Sequence, residues 1–209
     1  MRTHRVGSHP PDELRRASDL GHRIEGILLL VVAVLAIAGN VFAIVWASTA
    51  WPVPVVTAGL LLLIAIYPRH PVGDWSLIWG EPQQRQHTMI AVALVAGGIA
   101  VLLKPRLPGL GVVWPGALVL AGILFLTHAQ HGTGEAVRKA VRRHRILGAT
   151  LILAGLIAAS AVWTSNAALA ELWPVVLLVA ALQLLLYREP AGAYEAAHAG
   201  HDRGSVPPK

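Results

Sequence analysis

The sequence predicts an all-α, polytopic membrane protein whose six transmembrane helices form three repeated helical hairpins, and three observations predict it. Mean hydropathy is +0.59 and only 13% of the 209 residues are charged, too apolar for an ordinary soluble domain. The apolar residues fall in continuous runs near the ~20 residues that cross a hydrocarbon core, without the ten-residue alternation of a barrel. A histidine starts each odd-numbered run, at His22, His87 and His144, and a Trp-Pro pair starts each even-numbered run 27 to 29 residues later, at Trp51-Pro52, Trp114-Pro115 and Trp173-Pro174. A fixed spacing of that kind is the mark of an internal repeat.

Residues 1–21 are polar and broken by Pro10-Pro11, and the apolar run after them is too long for a signal peptide, so an uncleaved cytoplasmic tail is expected. The membrane domain covers residues 22–189, with spans expected at Ile24–Trp46, Pro52–Tyr67, Thr88–Leu103, Val112–Thr127, Ile146–Trp163 and Leu172–Tyr187. Backbone groups in lipid have to be satisfied within each segment, so runs of this kind are helices. Trp75 and Trp79 suggest a short amphipathic helix on the membrane surface between the second and third spans. The Trp-Pro pairs read as proline at the first helical position and tryptophan at the interface. A polar tail, 190–209, follows the last span.

Lys and Arg gather on one side of this topology. Arg2, Arg5, Arg15, Arg16, Arg23, Arg69, Arg85, Arg138, Lys139, Arg142, Arg143, Arg145, Arg188, Arg203 and Lys209 lie there, against Lys104 and Arg106 on the other. The positive-inside rule then puts both termini in the cytoplasm, with a bacterial-type inner (plasma) membrane as the expected location. The net charge of +6 is accounted for by these flanks, and no basic-plus-aromatic platform points to nucleic acid. Absence of cysteine excludes disulfides, thiolate metal sites and covalent haem attachment. No hydrolase triad, P-loop or HExxH pattern offers an enzymatic assignment.

The hairpin topology assigns His22, His70, His87, His128, His131 and His144 to one leaflet or its edge. His128 and His131 are three apart, so a helix continuing through them would put both on one face with Leu124. Neutral imidazole ligates copper, zinc and haem iron. His87, His128, His131 and His144 are therefore the candidate metal ligands, with His22, His70, Glu135 and Met89 as secondary candidates. Histidine at a membrane interface also bonds lipid phosphates or helix-end carbonyls, and Glu135 equally caps the helix after Gly134. Arg138, Lys139, Arg142 and Arg143 are expected to face lipid phosphates and water. Asn40, Thr57, Ser160 and Gln183 are the polar positions within the spans, where no carboxylate or lysine is expected deep in a helix. Asn40 and Gln183 are expected to hydrogen-bond between helices, and Gly155 with Ala159 to form a close-packing face.

The segments GDWSLIWGEPQQRQH, LTHAQHG and VRRHRILGATLILAGL resemble the membrane region of the copper-resistance CopD family, over about residues 67–159. Gln86-His87, Leu126-Thr127-His128 and His144 match that family's motif positions. Its second turn histidine is replaced by Gln130, with His131 one place further on. The resemblance implies copper handling or uptake across the inner membrane, with copper as the cofactor. The alternatives are a b-type haem protein in electron transfer, with two axial histidines from facing helices, and a scaffold subunit with membrane-protein partners.

Overall fold

The computed structural model describes residues 11–66, 82–128 and 134–191. Its elements are α1 (Pro11–Asn40), α2 (Val45–Ala50), α3 (Pro52–Ile66), α4 (Pro82–Leu103), a 3-10 turn (Pro108–Val112), α5 (Val113–Leu126), α6 (Glu135–Thr164) and α7 (Ala167–Leu185). Among the described residues, six segments are long and apolar enough to cross a membrane: α1, α2 with α3, α4, the 3-10 turn with α5, α6, and α7. Large apolar side chains such as Ile27, Leu60, Val92, Leu120, Leu156 and Val179 point outward, the surface a bilayer solvates.

The six segments close into a ring in chain order. α1 packs on α3, α3 on α4, α4 on α5, α5 on α6, α6 on α7, and α7 returns to α1. The loosest seam between neighbours in this ring lies between α1 and α3. Close approach elsewhere depends on small residues: a Cβ on Gly59 would sit 2.6 Å from the Ala91 carbonyl oxygen, one on Gly122 2.6 Å from that of Gly148, and one on Gly26 2.8 Å from the Leu185 nitrogen. Apolar attraction between helices is weak in lipid, so contact of this closeness is what holds such helices together. Gly155 approaches the Pro115 carbonyl in the same way; Ala159 beside it is only half-buried.

The structure moves several boundaries. α1 begins at Pro11, inside the segment expected to be a polar tail, and ends at Asn40. Ala43 takes a left-handed φ of 53°, and the Ile44 N–H reaches back to the Ala38 carbonyl, so the chain turns out of the helix here. Trp46 thus belongs to the separate helix α2 rather than to the first span.

The tryptophans of the Trp-Pro pairs are not interface anchors. Trp51, Trp114 and Trp173 are buried, and their rings meet with centroids 5.4, 5.4 and 6.1 Å apart. Pro52 does open α3, but Pro174 lies inside α7. A proline there removes the N–H that would bond the carbonyl four residues back, at Ala170. The Asn40 side-chain amide donates to that carbonyl at 2.8 Å, so the polar residue expected to link helices does so at the backbone acceptor the proline leaves. Gln183 likewise donates to the Thr150 hydroxyl of α6 at 3.0 Å.

Candidate functional site

At the opposite end of the ring from the tryptophans, four helices bring four histidines into one chain of rings. The His87 and His128 ring centroids are 5.2 Å apart, His128 and His144 4.6 Å, and His144 and His22 5.7 Å. Tyr187 stacks on His22 at 4.2 Å and lies 5.3 Å from His144. Phe125 covers His144 at 5.8 Å. His144 and His128 are only 3% and 7% exposed; His22 and His87 are half-buried.

Three of these rings are held the same way. Nδ1 of His22 is 2.8 Å from the Ser18 carbonyl oxygen, Nδ1 of His87 2.7 Å from that of Gln83, and Nδ1 of His144 2.9 Å from that of Ala140. Each partner is four residues back on the same helix. A carbonyl oxygen only accepts, so Nδ1 is the donor in each case, and a neutral ring then keeps its lone pair on Nε2. The helix backbone thereby fixes the tautomer and turns Nε2 away from its own helix. Outer hydrogen bonds have this orienting role for metal-binding imidazoles in general.

His128 is positioned differently. α5 ends at Leu126 with Thr127 as its C-cap, so the expectation of a helix running on through His128 does not hold. The Thr127 hydroxyl donates to the Ile123 carbonyl at 2.9 Å, and the Gln86 amide of α4 donates to the Thr127 carbonyl at 2.9 Å. Gln86 thus ties the end of α5 to the start of α4, where His87 follows it in sequence. Once the helix has ended, His128 is free of the helical register and turns into the cluster.

Of the candidates read from the sequence, His87, His128 and His144 come together with the secondary candidate His22. His131 and His70 lie outside the described residues. Glu135 is exposed at the start of α6, nine residues and so roughly 13 Å along the helix from His144. Met89 packs against the apolar core, about 200° around α4 from His87. Among the described residues, no three His, Asp or Glu side chains converge as they stand on a point that would hold a metal ion.

Several contributors escaped the sequence reading. Glu25, near the start of the expected first span and not singled out there, lies on α1 one helical turn after His22. Tyr187 and Glu189 brace the cluster from beyond α7: the Ser18 and Tyr187 hydroxyls each donate to Glu189 Oε2 at 3.0 Å, and the Glu189 N–H donates to Asp19 Oδ1 at 2.7 Å. Burial pushes the Glu189 carboxyl above the usual carboxylate range, and those two hydroxyls partly oppose the shift. Arg143, expected to face lipid phosphate, instead donates to the Arg188 carbonyl and lies over the Tyr187 ring.

Two cavities flank the cluster. The larger, about 510 Å³, runs from His22 and His87 along α1, α3 and α4 and is mostly apolar. The smaller, about 270 Å³, is bordered by His22, His144, Arg143, Gln183 and Tyr187.

No protein-family model matches the chain, and neither a curated protein nor a solved structure matches it.

Proposed function

We propose that this chain is a copper-binding protein of a bacterial-type inner membrane, built from three repeated helical hairpins, with His22, His87, His128 and His144 as the ligand set at the cytoplasmic end. The observation that carries the proposal is the chain of four imidazoles, three of them held through Nδ1 by their own helices, so that the acceptor nitrogen of the neutral ring is Nε2. With metal–nitrogen bonds of about 2 Å, imidazoles cis to one another on one ion have ring centres roughly 4.5–5 Å apart. Spacings of 4.6, 5.2 and 5.7 Å are near that range. Since no three donors converge as they stand, a metal ion would be held only after the rings shift toward a common centre with their Nδ1 hydrogen bonds kept.

A thiolate-free set of imidazoles suits copper(II) or zinc, and the resemblance to the CopD family selects copper. The mutual packing of the rings favours a single ion over haem, because a porphyrin has to stand between its two axial histidines. Support for the repeat comes from small residues at matching offsets. Four residues after each helix-start histidine stand Gly26, Ala91 and Gly148; eleven after stand Ala33, Gly98 and Gly155; eight after each tryptophan stand Gly59, Gly122 and Ala181. The arginines around His144 and His22 support the cytoplasmic assignment for this end and for both termini.

The test is metal analysis with optical and EPR spectra of protein purified in detergent. About one copper per chain is expected, with nitrogen hyperfine structure from imidazole, and His128→Ala with His144→Ala should abolish it while the helical circular dichroism is kept. Unchanged copper content in that double variant overturns the proposal. A Soret band would replace copper with haem b, and co-purifying partners without metal or haem would point to a scaffold subunit.

A further inference from the structure

The larger cavity has a polar end and an apolar length. At the histidine end its wall includes Glu25 of α1 and Gln83 and Gln84 of α4, with the His22 and His87 rings beside them. Deeper in, it is bounded by residues such as Val55, Leu62, Leu94 and Leu118. It lies at the α1–α3 seam, the loosest in the ring, which gives a lipid-soluble molecule a lateral way in.

Two acceptors at the polar end lack donors. Gln84 Oε1 is buried without a hydrogen-bond partner. Glu25 has neither a hydrogen bond nor an ion pair among the described residues, although it stands within the first span. A buried acceptor left without a donor is costly, and so is a carboxyl group held against a mostly apolar wall. No lysine or arginine lines the cavity among the described residues, so an anionic phosphate head finds no counter-charge. The matching head brings hydroxyl donors and no negative charge. The aromatic side chains His22, His87 and Phe125 in its wall suit a planar ring, and a cavity of about 510 Å³ is within the ordinary range for one small-molecule ligand.

We infer that this cavity is a binding site for a hydroquinone-headed lipid with a single apolar chain, its hydroxyls donating to Gln84 and Glu25 and its chain lying along the α1–α3 seam. The site adjoins the histidine cluster but does not rest on the copper reading, because the acceptors it uses are not among the proposed ligands.

The experiment is calorimetric titration of the full chain in detergent, anaerobic and stripped of metal by chelator, with 2-decyl-hydroquinone as the probe. Saturable binding is expected, and the di-O-methyl ether of the same probe, which has no donors, should bind on the order of a hundredfold more weakly, the loss of two good hydrogen bonds. Gln84→Leu should weaken the hydroquinone about tenfold, the loss of one of them, while leaving the ether unchanged. Ala58→Trp, which fills the deeper part, should abolish both. Equal affinity for hydroquinone and ether overturns the assignment of the head, and so does displacement of the probe by decylamine or by phosphatidylglycerol. Absence of saturable binding in folded wild-type protein overturns the site. Because the titration is done without metal, failure to bind copper leaves its outcome unaffected.

Discussion

At one end of the bundle three indoles pack against one another, and at the other four imidazoles do. The tryptophan rings are wholly inside the protein, and the Trp114 Nε1–H is buried without an acceptor. Van der Waals contact alone recommends that arrangement. The histidine rings are instead tied to carbonyls through Nδ1, braced by Tyr187 and Glu189, and bordered by two cavities. Packing alone does not account for such polar bracing, because apolar side chains would fill the same space without hydrogen bonds to satisfy. The difference separates an end that holds the fold from an end that the fold holds in position.

The largest effect that would test this contrast is Trp114→Ala. Removing a fully packed indole should cost about 3 kcal/mol, at the low end of the usual range because the gain from leaving water is small between membrane helices. Thermal unfolding in detergent should show a clear drop, while the protein that remains folded keeps its metal content. The reverse result, with stability kept and metal lost, would mean that the two ends are coupled and the division is wrong. Gly122→Ala comes next. Its new methyl would be 2.6 Å from the Gly148 carbonyl oxygen, so α5 and α6 have to separate, at about 1–3 kcal/mol. Those two helices carry His128 and His144 toward each other, so this variant should weaken both stability and metal binding. A Gly122→Ala protein as stable as wild type, by the same melting measurement, would show that the crossing is looser than the contact implies.

Much of this was legible in the residues. Six spans follow from hydropathy because lipid imposes helix on any long apolar run. The gathering of His87, His128 and His144 at one end follows from topology, since hairpins return every odd helix start to the same side. The Trp triad was missed because tryptophan at a span boundary reads as an interface anchor, and only the packing of the helices in the ring brings the three indoles together. Glu25 was missed because it stands at the edge of the span that hydropathy gives, and only the placement of α1 beside α3 and α4 puts it in the wall of the larger cavity. The turn of His128 out of the helix depends on the Gln86–Thr127 contact, 41 residues apart in the chain, which no local pattern contains. Asn40 was legible as a helix-to-helix donor, but its acceptor, the carbonyl released by Pro174, required knowing that the proline sits inside α7.

The smallest predicted effect concerns Glu189, which ties the segment after α7 to α1 beneath the histidines. Its carboxyl is raised by burial above the ordinary range, so the folded state binds that proton more tightly than the unfolded chain does. The stability this contributes is fully present below the ordinary glutamate pKa of about 4.3 and is lost as pH rises through the raised value. Glu189→Gln keeps an oxygen to accept from Ser18 and Tyr187 but removes the titration. Over the interval above about pH 4, the wild-type melting temperature should fall relative to that of the variant, and the two curves should run parallel once the wild-type carboxyl is fully ionised. Curves that stay parallel throughout would mean that Glu189 titrates as a solvated carboxylate, and the brace beneath His22 and Tyr187 would then be open to water.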